Sequence, residues 1–276
     1  MQSYVHDGLT FDVVDSGTAD NGTVVLLHGF PQTAKSWRGV AERLNARGYR
    51  TVVPNQRGYS PGARPRGRRA YRAVLLAGDV EALIEQLDCG PVHLVGHDWG
   101  AAVAWGVAAR RPELLASLTT VSVPHPRAFM ESLLRSSQAL HSWYMLAFQA
   151  PWLPERLAAR RPAILLRLFE SFAMTDEQAA DVLALIDGGG FGYAVNWYRA
   201  MPFSSPKQLT RIPVPTSHVW SDDDAALTRK GADLTGEFVS GPFELHVLEG
   251  VSHWIPEERP DELTDIIVSR AESARS

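Results

Sequence analysis

Short apolar strands alternate with helical stretches along this chain, and that alternation restricts the possible folds more than any other feature. Thr23 to Leu27 and Val92 to Val95 are continuously apolar and rich in β-branched residues, as strands buried on both faces are. A stretch of helical periodicity from Trp37 to Gly48 follows the first of them. Strands that alternate with helices build a parallel sheet covered on both faces. We therefore predict a doubly wound α/β core.

The same alternation continues on both sides of these units. Asp7-Gly8 is a hairpin turn pair, so the chain is predicted to open with antiparallel strands. The other predicted elements are strands at Thr51 to Val53, Leu114 to Val123, Val214 to Trp220 and Phe243 to Leu248, and helices at Val74 to Leu87, Ala101 to Ala109 and Pro260 to Ala271.

Residues 125–212 interrupt this alternation. They contain helical stretches rich in Trp, Phe, Leu and Met, separated by prolines and by three consecutive glycines. Because strands resume afterwards, the segment is predicted to be a helical cap inserted into one core domain formed by residues 1–124 and 213–276. A lid of this kind over the edge of a sheet is a natural place for a substrate pocket.

Composition and charge exclude several classes of function. The chain has 27 Lys and Arg against 31 Asp and Glu, a formal net charge of −4, which gives no general attraction to nucleic acid or anionic membranes. Cys89 is the only cysteine, so no intrachain disulfide or Cys-rich metal site can form. No uncharged run approaches the ~18 residues of a membrane span. We expect a cytoplasmic protein without nucleic-acid or membrane partners.

One local exception to this charge balance is a group of arginines in a segment rich in Gly and Pro. A solvated loop is the favoured interpretation, and a site for an anionic ligand is the alternative. Its members are Arg64, Arg66, Arg68, Arg69 and Arg72.

The segment from Gly96 to Gly100, with the sequence GHDWG, has the strand–turn–helix context of a nucleophile elbow. Asp98 stands where the nucleophile of such an elbow is expected. Small residues at Gly96, Gly100 and Ala101 suit a sharp turn that leaves the Asp98 side chain exposed above the sheet. We predict that Asp98 is a carboxylate nucleophile.

A second tight turn, HGFP from His28 to Pro31, follows an earlier buried strand. In this context the backbone N–H groups of Phe30 and Trp99 would converge on the elbow as an oxyanion hole. The alternative is that the two turns are unrelated.

A base and an acid are expected in later loops. His253 lies in the loop between the last predicted strand and the last helix, where it can reach the elbow, whereas the other histidines fall in strand, lid or flanking positions that indicate structural roles. The loop after Val214 to Trp220 offers three candidate acids, of which Asp224 is preferred over Asp222. The order nucleophile, acid, base is that of α/β-hydrolases.

A carboxylate nucleophile restricts the chemistry to substrates attacked at saturated carbon. A serine would leave an alkyl ether there, whereas Asp98 leaves an ester that a water activated by His253 and Asp224 can hydrolyse. An epoxide or a carbon–halogen bond fits this description. Tyr144 and Tyr198 lie in aromatic segments of the insertion and could donate to an epoxide oxygen, although on the residues alone lid packing is the simpler interpretation.

Taken together, these segments resemble the epoxide hydrolase family of α/β-hydrolases over nearly the whole chain. The HGFP turn is similar to the family's H-G-x-P, and the elbow and the His253 loop match their counterparts. The resemblance implies that Tyr144 and Tyr198 activate the epoxide and that Phe30 and Trp99 contact it. It also supports Asp224 as the acid, because a W-G-x-x-D stretch is similar to the segment from Trp220, with Ser221 in place of the glycine.

The resulting hypothesis is an epoxide hydrolase that needs no metal or organic cofactor and acts with water on an apolar or aryl epoxide, as the aromatic and aliphatic lid suggests. A haloalkane dehalogenase is the first alternative, although such enzymes commonly carry a halide-binding Asn where this chain has Phe30. A catalytically silent binding protein is the second. An esterase is disfavoured, because Asp98 would form an anhydride with an acyl group.

Overall fold

Eight strands form a single sheet among residues 1–204 and 209–274, which are the residues that the computed structural model describes. The strands are β1 (Ser3–His6), β2 (Leu9–Ser16), β3 (Thr23–Leu27), β4 (Arg50–Pro54), β5 (Val92–His97), β6 (Leu115–Val121), β7 (Thr216–Ser221) and β8 (Phe243–Leu248). Their order in the sheet is β1-β2-β4-β3-β5-β6-β7-β8, and only the pairs β1/β2 and β2/β4 are antiparallel. The predicted doubly wound, mostly parallel sheet is confirmed.

Helices cover both faces of this sheet and fill the long connection between β6 and β7. The core helices are α1 (Arg38–Ala46), α2 (Ala73–Leu87), α3 (Trp99–Arg110), α11 (Arg229–Thr235), α12 (Ile255–Glu258) and α13 (Pro260–Ser273). Those between β6 and β7 are α4 (Pro126–Arg135), α5 (Gln138–His141), α6 (Trp143–Ala147), α7 (Leu153–Arg160), α8 (Pro162–Glu170), α9 (Asp176–Asp187) and α10 (Phe191–Ala200). Residues 205–208 of the expected cap and 275–276 of the expected core lie outside the described residues.

The continuous apolar run of β3 follows from burial on both sides of the sheet. Val24 and Leu26 pack in a cluster that contains the buried side chains of α1 and α13, whereas Val25 and Leu27 pack in the cluster of α2 and α3. Successive side chains of a strand point to opposite faces, so a strand covered on both faces must be apolar at every position.

The bounds of β4, β5, β6 and β7 differ from the predicted ones by one or two residues, and two of these differences concern the neighbouring ends of β5 and β6. β6 stops at Val121 rather than Val123 because Ser122 adopts a left-handed backbone conformation with φ of 66°. β5 extends two residues past Val95 because its pairing with β6 continues to His97. The shorter β6 and the longer β5 therefore end side by side.

The parallel arrangement places the carboxyl ends of β3, β5, β7 and β8 at one edge of the sheet, which is where ligands bind in open α/β sheets. The loops at this edge contain the predicted nucleophile, acid and base. None of the helices in the described part of the chain has the length and apolar character that crossing a membrane requires.

Candidate active site

Asp98 occupies a sharp turn between β5 and α3. Its backbone has φ of 50° and ψ of −120°, a conformation that L residues rarely adopt and that holds the side chain at the edge of the sheet. A Cβ atom at Gly96 would lie 2.3 Å from the Gly100 carbonyl oxygen, and one at Gly100 would lie 2.2 Å from the Leu27 carbonyl oxygen. The turn therefore requires glycine at both positions.

The turn that contains Gly29 and Phe30 lies directly against Asp98. The Phe30 N–H donates to Asp98 Oδ1 over 2.8 Å, and a Cβ atom at Gly29 would be 2.5 Å from that of Asp98. Trp99 is the first residue of α3, so its N–H has no acceptor within the helix. One backbone donor of the expected oxyanion hole therefore contacts the carboxylate, and the second expected donor, the N–H of Trp99, belongs to the residue that follows Asp98.

His253 lies between two carboxylates. Its Nδ1 is 2.8 Å from Asp224 Oδ2, and its Nε2 is 3.7 Å from Asp98 Oδ2. The other Asp224 oxygen accepts hydrogen bonds from the N–H groups of Ala226 and Leu227 at 2.8 and 2.9 Å. Asp224 is thus held in place and acts as the acceptor for the Nδ1 proton, which leaves Nε2 directed at Asp98.

Asp222, the alternative acid, has a different position. Its side chain is exposed and accepts a hydrogen bond from the Gly250 N–H over 2.7 Å, in the turn that leads to the His253 loop. Of the two carboxylates, the structure brings only that of Asp224 to His253.

The charges of the site act on one another. Burial disfavours protonation of His253, but the Asp224 carboxylate and then Asp98 outweigh it and raise the pKa of His253 to about 10. Burial alone would raise the pKa of Asp98, but His253, His97 and the Phe30 N–H lower it. The geometry therefore holds an ionised Asp98 beside a protonated His253.

A small cavity of about 30 Å³ lies between this group and the helices that connect β6 to β7. Tyr144 of α6 and Tyr198 of α10 line it together with Asp98 and His253, and their ring centroids are 6.1 Å apart. Burial raises the pKa of both phenols well above 10, followed by the Asp98 charge for Tyr144 and by Tyr144 and then Asp98 for Tyr198. Both therefore remain protonated hydrogen-bond donors at neutral pH.

The rest of the cavity wall is mostly aromatic, and of its residues only Phe30 was predicted from the sequence to contact the substrate. It includes Phe30, Phe148, Leu168, Phe169, Phe172, Ala226 and Trp254. The apolar spacing of Leu165, Leu168, Phe169 and Phe172 is the signal that could have identified this segment, because residues at i, i+3, i+4 and i+7 share one helix face. The last three of them line the cavity.

Two histidines beside the site have structural contacts. His28 Nδ1 donates to the Gly29 carbonyl oxygen over 3.0 Å while its Nε2 accepts from the Gln56 N–H, and His97 Nε2 donates to the His253 carbonyl oxygen over 2.9 Å. Burial lowers the pKa of each to about 4, so both rings are neutral. They support the Gly29 turn and the His253 loop.

The arginine segment differs from a simple solvated loop at one position. Arg64 is partly buried and donates to the carbonyl oxygens of Gly58, Tyr59 and Gly188, so it joins the core to α9. The other four arginines are exposed. Among residues 1–204 and 209–274, no three His, Cys, Asp or Glu side chains are grouped so that they could hold a metal ion.

Comparison with known proteins agrees with this architecture. The family described as alpha/beta hydrolase fold matches residues 22–260. Epoxide hydrolase 4 of Homo sapiens is 30% identical over 272 residues, which are 94% of this chain and 75% of that protein. AB hydrolase superfamily protein YfhM of Bacillus subtilis is 34% identical over 272 residues, which are 95% of this chain and 94% of that protein.

Solved structures extend the likeness to the backbone. Epoxide hydrolase A from Mycobacterium thermoresistibile superposes with a TM-score of 0.83 at 25% identity, over 97% of this chain and 96% of that one. A structure from a study of novel epoxide hydrolases in metagenomes from hot environments superposes with a TM-score of 0.86 at 27% identity, over 100% and 98% of the two chains. The chain belongs to the epoxide hydrolase family of the α/β-hydrolase fold superfamily.

Proposed function

We propose that the protein converts an apolar or aryl epoxide to a vicinal diol through a covalent ester on Asp98. The observation that carries this proposal is the meeting, in one apolar cavity, of an ionised Asp98, two protonated tyrosines and the His253–Asp224 pair. Relatives and structural neighbours that are named epoxide hydrolases support the same substrate class.

Ring opening is the first proposed step. The hydroxyl groups of Tyr144 and Tyr198 hold the oxirane oxygen, and an Asp98 carboxylate oxygen attacks a ring carbon from the opposite side. A carbon–oxygen bond forms to Asp98 while a ring carbon–oxygen bond breaks, and the ring oxygen takes up one proton. Oriented donors of this kind each contribute on the order of 10²–10³ in rate.

Ester hydrolysis is the second step. Alkylation removes the negative charge of Asp98, which is one of the two carboxylates that raise the pKa of His253. The pKa of His253 therefore falls and the imidazole releases a proton. This proton balances the one that the ring oxygen takes up. Neutral His253 then takes a proton from water, which attacks the Asp98 carboxyl carbon while the N–H groups of Phe30 and Trp99 hold the oxyanion. The acyl–oxygen bond breaks, the diol leaves with the proton from His253, and the new Asp98 carboxyl group protonates His253 again.

The two sides of the cavity suggest a division of the chain. We propose residues 125–212 as a cap that carries both tyrosines, and residues 1–124 and 213–276 as the core that carries the triad. Two indole N–H groups join them: Trp254 Nε1 donates to the Phe172 carbonyl oxygen and Trp197 Nε1 to that of Arg57, each over 2.8 Å. The cavity has room for about one or two water molecules, so side chains or the cap must shift to admit an epoxide.

Each proposed step uses only the chain's own groups and water. We therefore propose that turnover needs no added cofactor, and that a chelator leaves the rate unchanged. A cytoplasmic location and the lack of a nucleic-acid partner remain predictions from the cysteine content and the net charge.

Isotope labelling tests the proposed ester. In a single turnover of excess enzyme with styrene oxide in H₂¹⁸O, the diol should contain only unlabelled oxygen and the label should appear in the peptide that contains Asp98, because water attacks the carboxyl carbon. Mass spectrometry of the diol and of the peptide reads both. Labelled diol from the first turnover would mean direct attack by water and would contradict the ester. Halide release from a haloalkane panel without diol formation would favour a dehalogenase.

The acid can be tested by a matched pair of substitutions. Asp224→Asn is expected to reduce steady-state turnover by about 10⁴, because the amide no longer stabilises a protonated His253 or selects its tautomer. Asp222→Asn should change turnover by less than about threefold, since it weakens a surface hydrogen bond worth roughly 1 kcal/mol. Turnover is measured as diol formation. Equal losses of turnover in the two variants would show that the contact of Asp224 with His253 is not what makes this carboxylate important.

A further inference from the structure

Tyr144 is carried by a helix too short to hold its own position. The helix α6 contains only five residues, Trp143–Ala147, and isolated helices of fewer than about 12 residues are not stable in water. The carbonyl groups of Tyr144, Leu146 and Ala147 accept hydrogen bonds from the N–H groups of the three residues that follow the helix. The placement of the Tyr144 hydroxyl must therefore depend on groups outside α6.

Arg199 supplies donors to the segment that directly follows α6. Its Nε donates to the Phe148 carbonyl oxygen over 3.1 Å, and its Nη2 donates to that of Ala150 over 2.7 Å. The same guanidinium forms a bidentate ion pair with the Glu155 carboxylate at the start of α7. Its Nη2 lies 2.9 Å from Oε2, and its Nη1 contacts Oε1. The Arg199 residue is only 9% exposed.

The position of Arg199 in the chain links this segment to the second tyrosine. Arg199 directly follows Tyr198 in α10, and Gln149, just after α6, donates from Nε2 to the Tyr198 carbonyl oxygen over 2.7 Å. The Phe148 and Tyr198 rings are in contact, with centroids 4.9 Å apart. The backbone segments of the two tyrosines are therefore tied to each other through Arg199 and Gln149.

We propose that Arg199 is a positioning residue for ring opening: its guanidinium sets the spacing of the Tyr144 and Tyr198 hydroxyl groups. The inference rests on the proposed function, in which both phenols hold the oxirane oxygen. Arginine suits the role because its planar fork can bond two carbonyl oxygens and a carboxylate at once, which a lysine ammonium cannot do in the same geometry. Hydrolysis of the ester uses His253, Asp224 and backbone N–H groups, so it does not depend on this spacing.

Arg64 provides a matched control. It too donates to backbone carbonyl oxygens, those of Gly58, Tyr59 and Gly188, but these lie in the core and at the end of α9 rather than beside α6. A purely structural effect of losing an arginine that bonds backbone carbonyl oxygens should appear equally in Arg64→Met and Arg199→Met.

The experiment separates the two steps with styrene oxide. Ring opening is read as the growth of covalent adduct by intact mass in a His253→Gln background, where the ester persists, and ester decay is read by rapid quench in proteins that retain His253. Arg199→Met is expected to slow adduct growth about 10- to 100-fold, because small displacements of positioned groups have effects of this size. Ester decay, and both steps in Arg64→Met, should stay within about twofold.

Arg199→Lys should recover part of the ring-opening rate that Arg199→Met loses. If Arg199→Met does not fold, the ring-opening rate of Arg199→Lys is compared with that of the parent instead. Three results would overturn the positioning role. The first is equal slowing of both steps, and the second is an equal effect of the Arg64 and Arg199 variants. The third is ring opening at the rate of the parent in Arg199→Lys and Arg199→Met. A parent protein that forms no adduct with any epoxide would instead count against the proposed function, so the two failures are distinguishable.

Discussion

His253→Gln is expected to abolish turnover and leave the protein covalently modified on Asp98. Glutamine has no group that can take a proton from water near neutral pH, and loss of a base of this kind costs roughly 10⁴ or more in rate. Ring opening does not need the base, so the ester should accumulate to one per chain. Because ring opening adds every atom of the epoxide, the mass gain should equal that of the whole substrate, whereas a haloalkane would add its mass less that of the hydrogen halide.

Intact mass spectrometry followed by peptide mapping checks this expectation and assigns the modified residue. The mixture should be held at about pH 8, because His253 helps to keep the pKa of buried Asp98 low and its loss favours a protonated, unreactive carboxyl group. His246→Gln is the matched control, since His246 lies on β8 beside Glu244 and should turn over normally. An adduct on a residue other than Asp98, or no adduct with epoxides and haloalkanes alike, would contradict the proposed mechanism.

The double substitution Tyr144→Phe/Tyr198→Phe is expected to reduce the ring-opening rate by about 10⁴, and each single substitution by about 10². Each change deletes a hydroxyl group that faces the developing negative charge on the oxirane oxygen while it keeps the aromatic ring that packs in the cavity. Because burial keeps the pKa of both phenols well above 10, the loss should be the same from pH 6 to 9. Ester decay should be almost unchanged.

Single-turnover rates of adduct formation and decay, measured across that pH range, test the tyrosine pair. Tyr59→Phe is a suitable control, because Tyr59 is buried against His28 and Trp197 and, among the described residues, is not part of the cavity wall. Undiminished adduct formation in the double variant would refute the role of the phenols. A loss of similar size in Tyr59→Phe would indicate damage to packing instead.

Much of the fold could be predicted from local patterns. Apolar runs such as Thr23 to Leu27 and the helical period of α2 reflect which faces of an element are covered, and this information lies within a few neighbouring residues. The glycines around Asp98 also carry local information, because a sharp turn of this kind has no room for a Cβ atom in any protein that contains it. The motifs therefore indicated the nucleophile turn and the family before any distance was known.

Other properties depend on residues far apart in the chain. Asp222 and Asp224 share one loop and one chemistry, and only the packing of β7 beside β8 places Asp224, 29 residues before His253, within 2.8 Å of its Nδ1. The bonds that join Arg199 to Phe148, Ala150 and Glu155 have no periodic signature. The sequence by itself determined the elements and the reactive residue types, since these follow from short-range covalent spacing. The tertiary structure decided which carboxylate serves His253 and what orients the tyrosines, because distances between separate elements are set by how those elements pack.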